Sequence, residues 1–254
     1  MHPTLIKFAN LTIYSYGFMV ALGFSIATLL IYKRASEVGL DKNKVIDMAI
    51  ITLVGGIVGA RLFYILLNTG YYAARPFEIF DLSKGGLVWY GGFIVGLISL
   101  IAYAKRNGIK AWAGADLIAP YVALAQSFGR IGCFLNGCCF GIEAGHSHPF
   151  GVVFPGDGIM RHPSQLYSAA ALLGIFVILR MWQDREHFPG EVFLGYCILY
   201  AVKRFVMEFM RGDNPHIFYG LTISQCISLA VGAVAIIFFL YKAIKWKRES
   251  SGSI

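Results

Sequence analysis

Arg130, in GRIGCFLNGCCFG, and Arg204, in GYCILYAVKRFVMEFMRG, lie inside stretches that otherwise read as lipid-embedded helix. A guanidinium at mid-membrane costs about 2.5–3.5 kcal/mol on insertion scales, so by default it marks a functional site. Its rigid fork of donors suits phosphate, the anion a membrane supplies in bulk. The pair therefore reads as a site for a phosphorylated lipid reached from within the bilayer. Four glycines, Gly129, Gly132, Gly137 and Gly141, fall in the first segment. Each costs about 1 kcal/mol relative to alanine in a helix, which argues against regular helix throughout. Irregular backbone at membrane depth must be buried in protein or face a wet cavity, and Arg130 and Asn136 would point donors into such a cavity. A structural alternative pairs Arg130 with a buried acid such as Glu208.

In the second segment Tyr200, Arg204, Glu208 and Arg211 stand at i, i+4, i+8 and i+11 and share one helical face. Lys203 projects roughly 100° away. Arg211 can snorkel to the surface, whereas Arg204 sits too deep for that. Arg61, late in an earlier apolar run, either snorkels or lines the same cavity. His162, in RHPSQLY, is the residue type that exchanges protons near neutral pH, although a single loop histidine is more often a bystander. Cys133, Cys138 and Cys139, with His146 and His148 a few residues on, invite a metal reading. The set as a whole does not follow the paired C-x2–4-C and H-x3–5-H pattern of zinc sites. Small buried hydrophobes are the expected role of these thiols, and neither a metal nor a cofactor is expected.

Such residues need helices that cross a membrane to position them. The 254-residue chain is 57% hydrophobic and 14% charged, with mean hydropathy +0.64. Spans are expected near 11–32, 45–67, 86–104, 113–135, 164–182, 190–210 and 221–241. They make an all-α polytopic membrane protein of about seven transmembrane helices, one domain over residues 1–254. Loops after the odd-numbered spans hold Lys33, Arg34, Lys42, Lys44, Lys105, Arg106, Lys110, Arg180, Arg185, Lys242, Lys245, Lys247 and Arg248. The alternate set holds only Lys7, Arg75, Lys84, Arg161 and Arg211. This bias puts the N-terminus outside and the C-terminus in the cytoplasm. The net charge of +8 is thus topology, and nucleic acid is not an expected partner. The first span is too long for a signal-peptide core and lacks an A-x-A site after it, so it is expected to be retained. Gly55-x-x-x-Gly59 and Gly92-x-x-x-Gly96 read as helix packing. Gly85-Gly86 and Gly91-Gly92, flanking Leu87-Val88-Trp89-Tyr90, fit either a bent helix start at a cavity or an interfacial aromatic belt.

Taken together, GRIGCFLNGCCFG, RHPSQLY, Tyr16-Gly17, GGLVWYGGFIVG and YAVKRFVMEFMR resemble bacterial prolipoprotein diacylglyceryl transferase, in the family's order from residue 16 to about 215. The resemblance implies a seven-span enzyme of the bacterial inner membrane. It would move the diacylglyceryl group of phosphatidylglycerol onto the lipobox cysteine of a preprolipoprotein signal peptide, forming a thioether and releasing glycerol phosphate. By position, Arg130 and Arg204 match the family's essential arginines and Glu208 the acid one turn after the second. Tyr16 and Asn136 match functional positions, and Arg61 a recurrent membrane arginine. The implied catalytic set is Arg130, Arg204, Glu208, Tyr90 and His162; the implied substrate-binding set is Arg130, Tyr16, Asn136, Arg61 and Arg204. The family's best-known members carry histidine at position 90, asparagine at 133 and glutamate at 138. This chain has Tyr90, Cys133 and Cys138, and a phenol, ionising only near pH 10, is a poor base at neutral pH. His162 is then a fallback proton acceptor. The departures also keep a paralogue with another acceptor in view. A transporter or flippase using the arginines as an anion site is the rival of another class; such folds often carry internal repeats, and none is seen. A thiol-redox or metal protein built on the three clustered cysteines is a third.

Overall fold

The computed structural model describes residues 1–8, 11–81, 85–145, 148–155, 158–211 and 216–251. Lys84 and His146 lie outside them. The chain divides into two compact units, residues 1–31 with 115–254, and residues 32–114.

The smaller unit is built on α2 (Lys42–Leu67) and α4 (Trp89–Arg106), with the short helix α3 (Thr69–Ala74) and a 3-10 turn, Pro76–Phe80, between them. Asp41 caps α2 by accepting the Asn43 N–H at 2.9 Å. The two long helices run antiparallel in backbone contact. A Cβ on Gly59 would stand 2.4 Å from the Gly91 carbonyl oxygen, one on Gly91 equally near that of Gly59, and one on Gly55 2.5 Å from Ser99 Oγ. The glycine pairs therefore act as a packing seam, as their spacing implies.

The larger unit opens with a hairpin, β1 (Thr4–Phe8) with β2 (Leu11–Tyr14). The first helix, α1 (Ser15–Ala35), starts only after it, so residues 11–14 are strand where a span was expected. Alternating Leu11-Thr12-Ile13-Tyr14 supplies the period-two pattern that apolar content alone concealed. Beyond α5 (Ala111–Asn136) come the two-residue strands β3 (Val152–Val153) and β4 (Met160–Arg161), then α6 (Ser164–Gln183) and α7 (Glu191–Glu208). The strands β5 (His216–Phe218) and β6 (Leu221–Thr222) lead into α8 (Ile223–Ser251). The core joins α5, α6 and α7 through Ala119, Ala123, Leu172, Ile175, Leu179 and Val192. A second cluster, Phe188, Leu194 and Ala235, joins α7 to α8. Buried Asp116 of α5 caps α7, accepting the Gly190 N–H at 2.5 Å and the Phe193 N–H at 2.9 Å. An anion there satisfies orphan donors and meets the positive end of the helix dipole.

Among the described residues five helical segments are long and apolar enough to cross a membrane: Ser15–Val38, Lys42–Leu67, Ala111–Asn136, Ser164–Gln183 and Ile223–Ser251. The other two expected spans correspond to α4 and α7, of 18 residues each. The outward faces of these helices carry exposed Leu, Ile, Val and Phe, such as Ile227, Val234 and Ile237 on α8. So much exposed apolar surface suits lipid as the solvent.

Candidate active site

The glycine-rich segment is helical further than its composition suggests. α5 continues through Gly129, Arg130 and Gly132 and ends at Asn136. Gly132 is tolerated because α1 presses on it: a Cβ there would lie 3.1 Å from Met19 Cβ and 3.3 Å from Tyr16 Cα. The helix stops in a Schellman motif. Gly137 takes the left-handed conformation at φ 76°, its N–H bonds to the Phe134 carbonyl at 3.1 Å, and the Cys138 N–H bonds to the Cys133 carbonyl at 3.2 Å. That turn folds Cys138 back over the last turn of α5. Cys139 follows with φ 62°, a conformation that a side chain rarely adopts.

Two side chains from the start of α6 hold this turn. Ser164 Oγ donates to the Cys139 carbonyl at 3.1 Å, and Gln165 Nε2 to the Cys138 carbonyl at 2.7 Å. Both residues are buried. Gly141 fits just beyond, where a Cβ would meet the Met210 and His162 carbonyl oxygens at 2.7 and 2.9 Å. RHPSQLY thus includes a brace for the cysteine turn, a role its sequence does not advertise. Its result is that the Sγ atoms of Cys133, Cys138 and Cys139 all lie within 4.8 Å of one another. Hydrogen bonding from the Cys133 thiol outweighs burial and, with Cys138, Arg211 and Arg130 adding to it, holds the Cys139 thiol below its ordinary pKa.

Arg130 is partly buried on α5 and acts electrostatically on Tyr16, Cys133, Cys139 and Lys203. Among the described residues it makes no hydrogen bond and no ion pair. Glu208, the alternative partner the sequence offers, is engaged elsewhere. Glu208 Oε2 lies 2.7 Å from NH1 of Arg204, and Oε1 accepts the Thr222 hydroxyl at 2.7 Å. Arg204 NH2 also donates to Ser224 Oγ at 2.7 Å. Arg204 remains partly exposed while the Glu208 carboxylate is fully buried, so the acid orients and the guanidinium presents itself. Lys203 is buried with its ammonium 5.4 Å from the Tyr200 ring centre, and it feels the charges of Arg130, Arg204 and Arg211 together. Three guanidinium groups and a buried lysine thus share one region, an arrangement that invites an anion.

Thr222, Ser224 and Lys203 were not singled out as part of the site by sequence reasoning. A signal for the first existed in Thr222-Ile223-Ser224-Gln225, which is a capping box. The Gln225 N–H bonds Thr222 Oγ1 at 3.3 Å, and Gln225 Oε1 accepts the Thr222 N–H at 2.9 Å. The cap of α8 is therefore also the second anchor of Glu208.

The remaining expected residues fall as follows. Tyr16 stands one residue into α1, partly exposed. Asn136 is the exposed last residue of α5. His162 has Nδ1 3.4 Å from the Tyr167 hydroxyl and its ring edge-to-face with His148 at 4.4 Å. Tyr90 and Arg61 belong to the smaller unit. Tyr90 is exposed near the start of α4. The sequence leaves Arg61 between snorkelling and a cavity; the structure gives it a third place. It is buried, and all five N–H donors meet backbone carbonyls of the 78–86 segment: Nε to Ile79, NH1 to Gly85 and Gly86, NH2 to Glu78 and Asp81, at 2.7–3.3 Å. Gly86, at φ 80°, leaves the room this needs, since a Cβ there would stand 2.7 Å from Arg61 NH1. The first glycine pair thus receives an arginine.

Comparison with known proteins gives the family of the chain. A family model described as prolipoprotein diacylglyceryl transferase matches residues 3–241. A phosphatidylglycerol–prolipoprotein diacylglyceryl transferase of Clostridium tetani is 38% identical, over 94% of this chain and 97% of the relative. A protein of Clostridium perfringens, named as the second such transferase, is 33% identical over 98% and 99%. One from Clostridioides difficile is 34% identical over 93% of each.

Proposed function

The chain belongs to the prolipoprotein diacylglyceryl transferase family and is a membrane transferase that moves the diacylglyceryl group of phosphatidylglycerol to prolipoprotein; we propose that Arg130 and Arg204 hold the phosphodiester while a lipobox cysteine attacks. The sulfur attacks C3 of the glyceryl group, the C–O bond to phosphorus breaks, and glycerol phosphate leaves with the electron pair. A thioether remains on the acceptor. Negative charge grows on the departing phosphate, so a guanidinium aimed at it lowers the barrier, and more so in a site that excludes water. Glu208 fixes the orientation of Arg204 through their ion pair. Tyr16 and Asn136 hydrogen-bond the headgroup, Tyr90 the acceptor, and His162 is a fallback proton acceptor. The enzyme crosses the bacterial inner membrane seven times, with α4 and α7 as the third and sixth spans and the C-terminus in the cytoplasm.

One observation carries this reading. Arg130, beside Lys203 and within a region shared with Arg204 and Arg211, has no hydrogen bond or ion pair among the described residues. A partly buried cation in that company is stabilised when an anion binds. The test uses the full chain in detergent with phosphatidylglycerol and a lipobox peptide, read by mass spectrometry. The peptide gains a diacylglyceryl mass, and Arg130→Ala slows the gain by about 10²–10³-fold, as for loss of one donor to a developing anion. Arg130→Lys falls between, keeping charge but losing the fork. An Arg130→Ala protein as fast as the parent would refute this assignment.

A further inference from the structure

Resting on the transferase reading above, we propose that Cys133, Cys138 and Cys139 bind one zinc ion, whose fourth position takes the acceptor's cysteine sulfur and holds it as the attacking thiolate. Three sulfurs on a tetrahedral zinc, each at about 2.3 Å from the metal, lie about 3.8 Å apart. The three Sγ atoms here already fall within 4.8 Å of one another, so small side-chain rotations close the site. Cys133-x4-Cys138 is itself one half of a zinc pattern, and the left-handed Cys139 brings the third thiol round.

The turn is also built. The Schellman bonds fix Cys138 to the end of α5, and the buried Ser164 and Gln165 hold the next two carbonyls. Gln165 Oε1 is buried without a hydrogen-bond partner among the described residues, so the brace keeps an acceptor in reserve beside the turn. Three thiolates on Zn²⁺ carry one net negative charge, and Arg130 and Arg211 supply positive charge at the same place. Thiolate ligands favour Zn²⁺ or Cu(I); a site with three protein ligands and an open tetrahedral position is the catalytic zinc arrangement.

The transfer needs a thiolate, and a coordinated thiol is deprotonated outright. Coordination replaces the acceptor's S–H bond by S–Zn, and the proton leaves to water. The sulfur lone pair then forms the S–C bond as the C–O bond to phosphate breaks, and that electron pair departs with glycerol phosphate. The thioether product is a weak ligand and dissociates, leaving zinc unchanged. A separate side-chain base at position 90 is not required.

The experiment purifies the full chain in detergent, measures zinc by mass spectrometry, then exchanges it for Co²⁺ and records the thiolate-to-cobalt absorption. Expected are about one zinc per chain and a band that shifts with a lipobox peptide but not with the same peptide carrying serine for cysteine. Chelation lowers transfer at pH 7 by about thirtyfold, since a free thiol of pKa about 8.5 is then only about 3% ionised. The combined Cys133→Ser, Cys138→Ser, Cys139→Ser variant retains no metal; should it fail to fold, the cobalt spectrum of the parent decides alone. A parent that holds no zinc, transfers undiminished after chelation, has these cysteines joined in a disulfide, or shows a band indifferent to the peptide overturns the proposal. Arg130→Ala keeps the metal and the shift while losing transfer. A zinc-loaded protein that shows the shift yet never modifies the peptide supports the thiol–zinc contact and sinks the transferase reading instead.

Discussion

Charge in an apolar setting marked Arg130 and Arg204 as candidates in the sequence, because a guanidinium placed in lipid is costly unless function or a buried partner offsets it. Arg61 carries the same signal with a different cause. Its partners are main-chain carbonyls 17–25 residues away, and a carbonyl leaves no mark in a sequence. The distinction is measurable. Arg61→Leu leaves the carbonyls of Glu78, Ile79, Asp81, Gly85 and Gly86 short of a donor, and each that stays buried without one costs about 1–3 kcal/mol. Residues 75–81 become a site of rapid proteolysis in detergent, while binding of phosphatidylglycerol to the folded fraction stays at parental affinity. Weakened lipid binding with an intact loop would return Arg61 to the headgroup. Glu208→Gln separates orientation from structure in the other unit. The amide oxygen still accepts from Thr222, yet Arg204 loses its counter-charge beside Lys203. Thermal unfolding registers a loss near the lower end of the roughly 3–5 kcal/mol range for breaking a buried ion pair, since Arg204 is partly hydrated. Added phosphatidylglycerol narrows that deficit, because its phosphodiester replaces the missing anion. A deficit unchanged by the lipid would mean that Arg204 does not meet the phosphate.

At the scale of elements, glycine spacing reported one interface well and one segment poorly. Gly55, Gly59, Gly92 and Gly96 form the seam of α2 and α4 expected from their i, i+4 pairs. In GRIGCFLNGCCFG the same residue type misled: Gly132 serves a helix–helix approach inside regular α5, and only Gly137 ends the helix. Propensity is a local cost of about 1 kcal/mol per glycine, which tertiary packing readily outweighs. The β1–β2 hairpin was hidden by its apolar content, and the α8 cap was readable from Thr222 to Gln225 but had no visible link to Glu208, which lies on another helix. The seam yields a paired test. Gly91→Ala drives a methyl to within 2.4 Å of the Gly59 carbonyl oxygen and 2.5 Å of Phe63 Cβ, so the helices must separate. That costs about 1–3 kcal/mol, the usual range for overpacking. Gly174→Ala on α6 meets nothing within 4 Å and gains up to about 1 kcal/mol of helix propensity. Unfolding midpoints in detergent should move in opposite directions. Equal shifts would show that the two long helices of the smaller unit are not held by this contact.

For the whole molecule, hydropathy made five segments long and apolar enough to cross a membrane legible, and charge distribution suggests the orientation proposed above, whereas the division into two units had no sequence mark. The two remaining candidate spans differ for a physical reason. α7 carries Glu191, Lys203, Arg204 and Glu208, as a helix proposed to hold a phosphate must carry charge. Hydropathy therefore understates the element that carries the proposed phosphate ligand Arg204. The proposed orientation rests on how the basic residues divide. Lys242, Lys245, Lys247 and Arg248 cluster at the end of α8, as Lys33 and Arg34 do at the end of α1, and basic clusters beside a span are retained in the cytoplasm. With seven crossings the hairpin before α1 lies on the opposite side. A green fluorescent protein joined after residue 248 should then fluoresce and an alkaline phosphatase joined there should be inactive; fused within residues 185–187, between α6 and α7, the two reporters should give the same answers. In the loop between α7 and α8 the phosphatase should be active. That last result is the discriminating one, because it requires both α7 and α8 to cross. Phosphatase inactive at all three positions would leave α7 unable to span, and the arginine site would then have to be reached from the cytoplasmic surface.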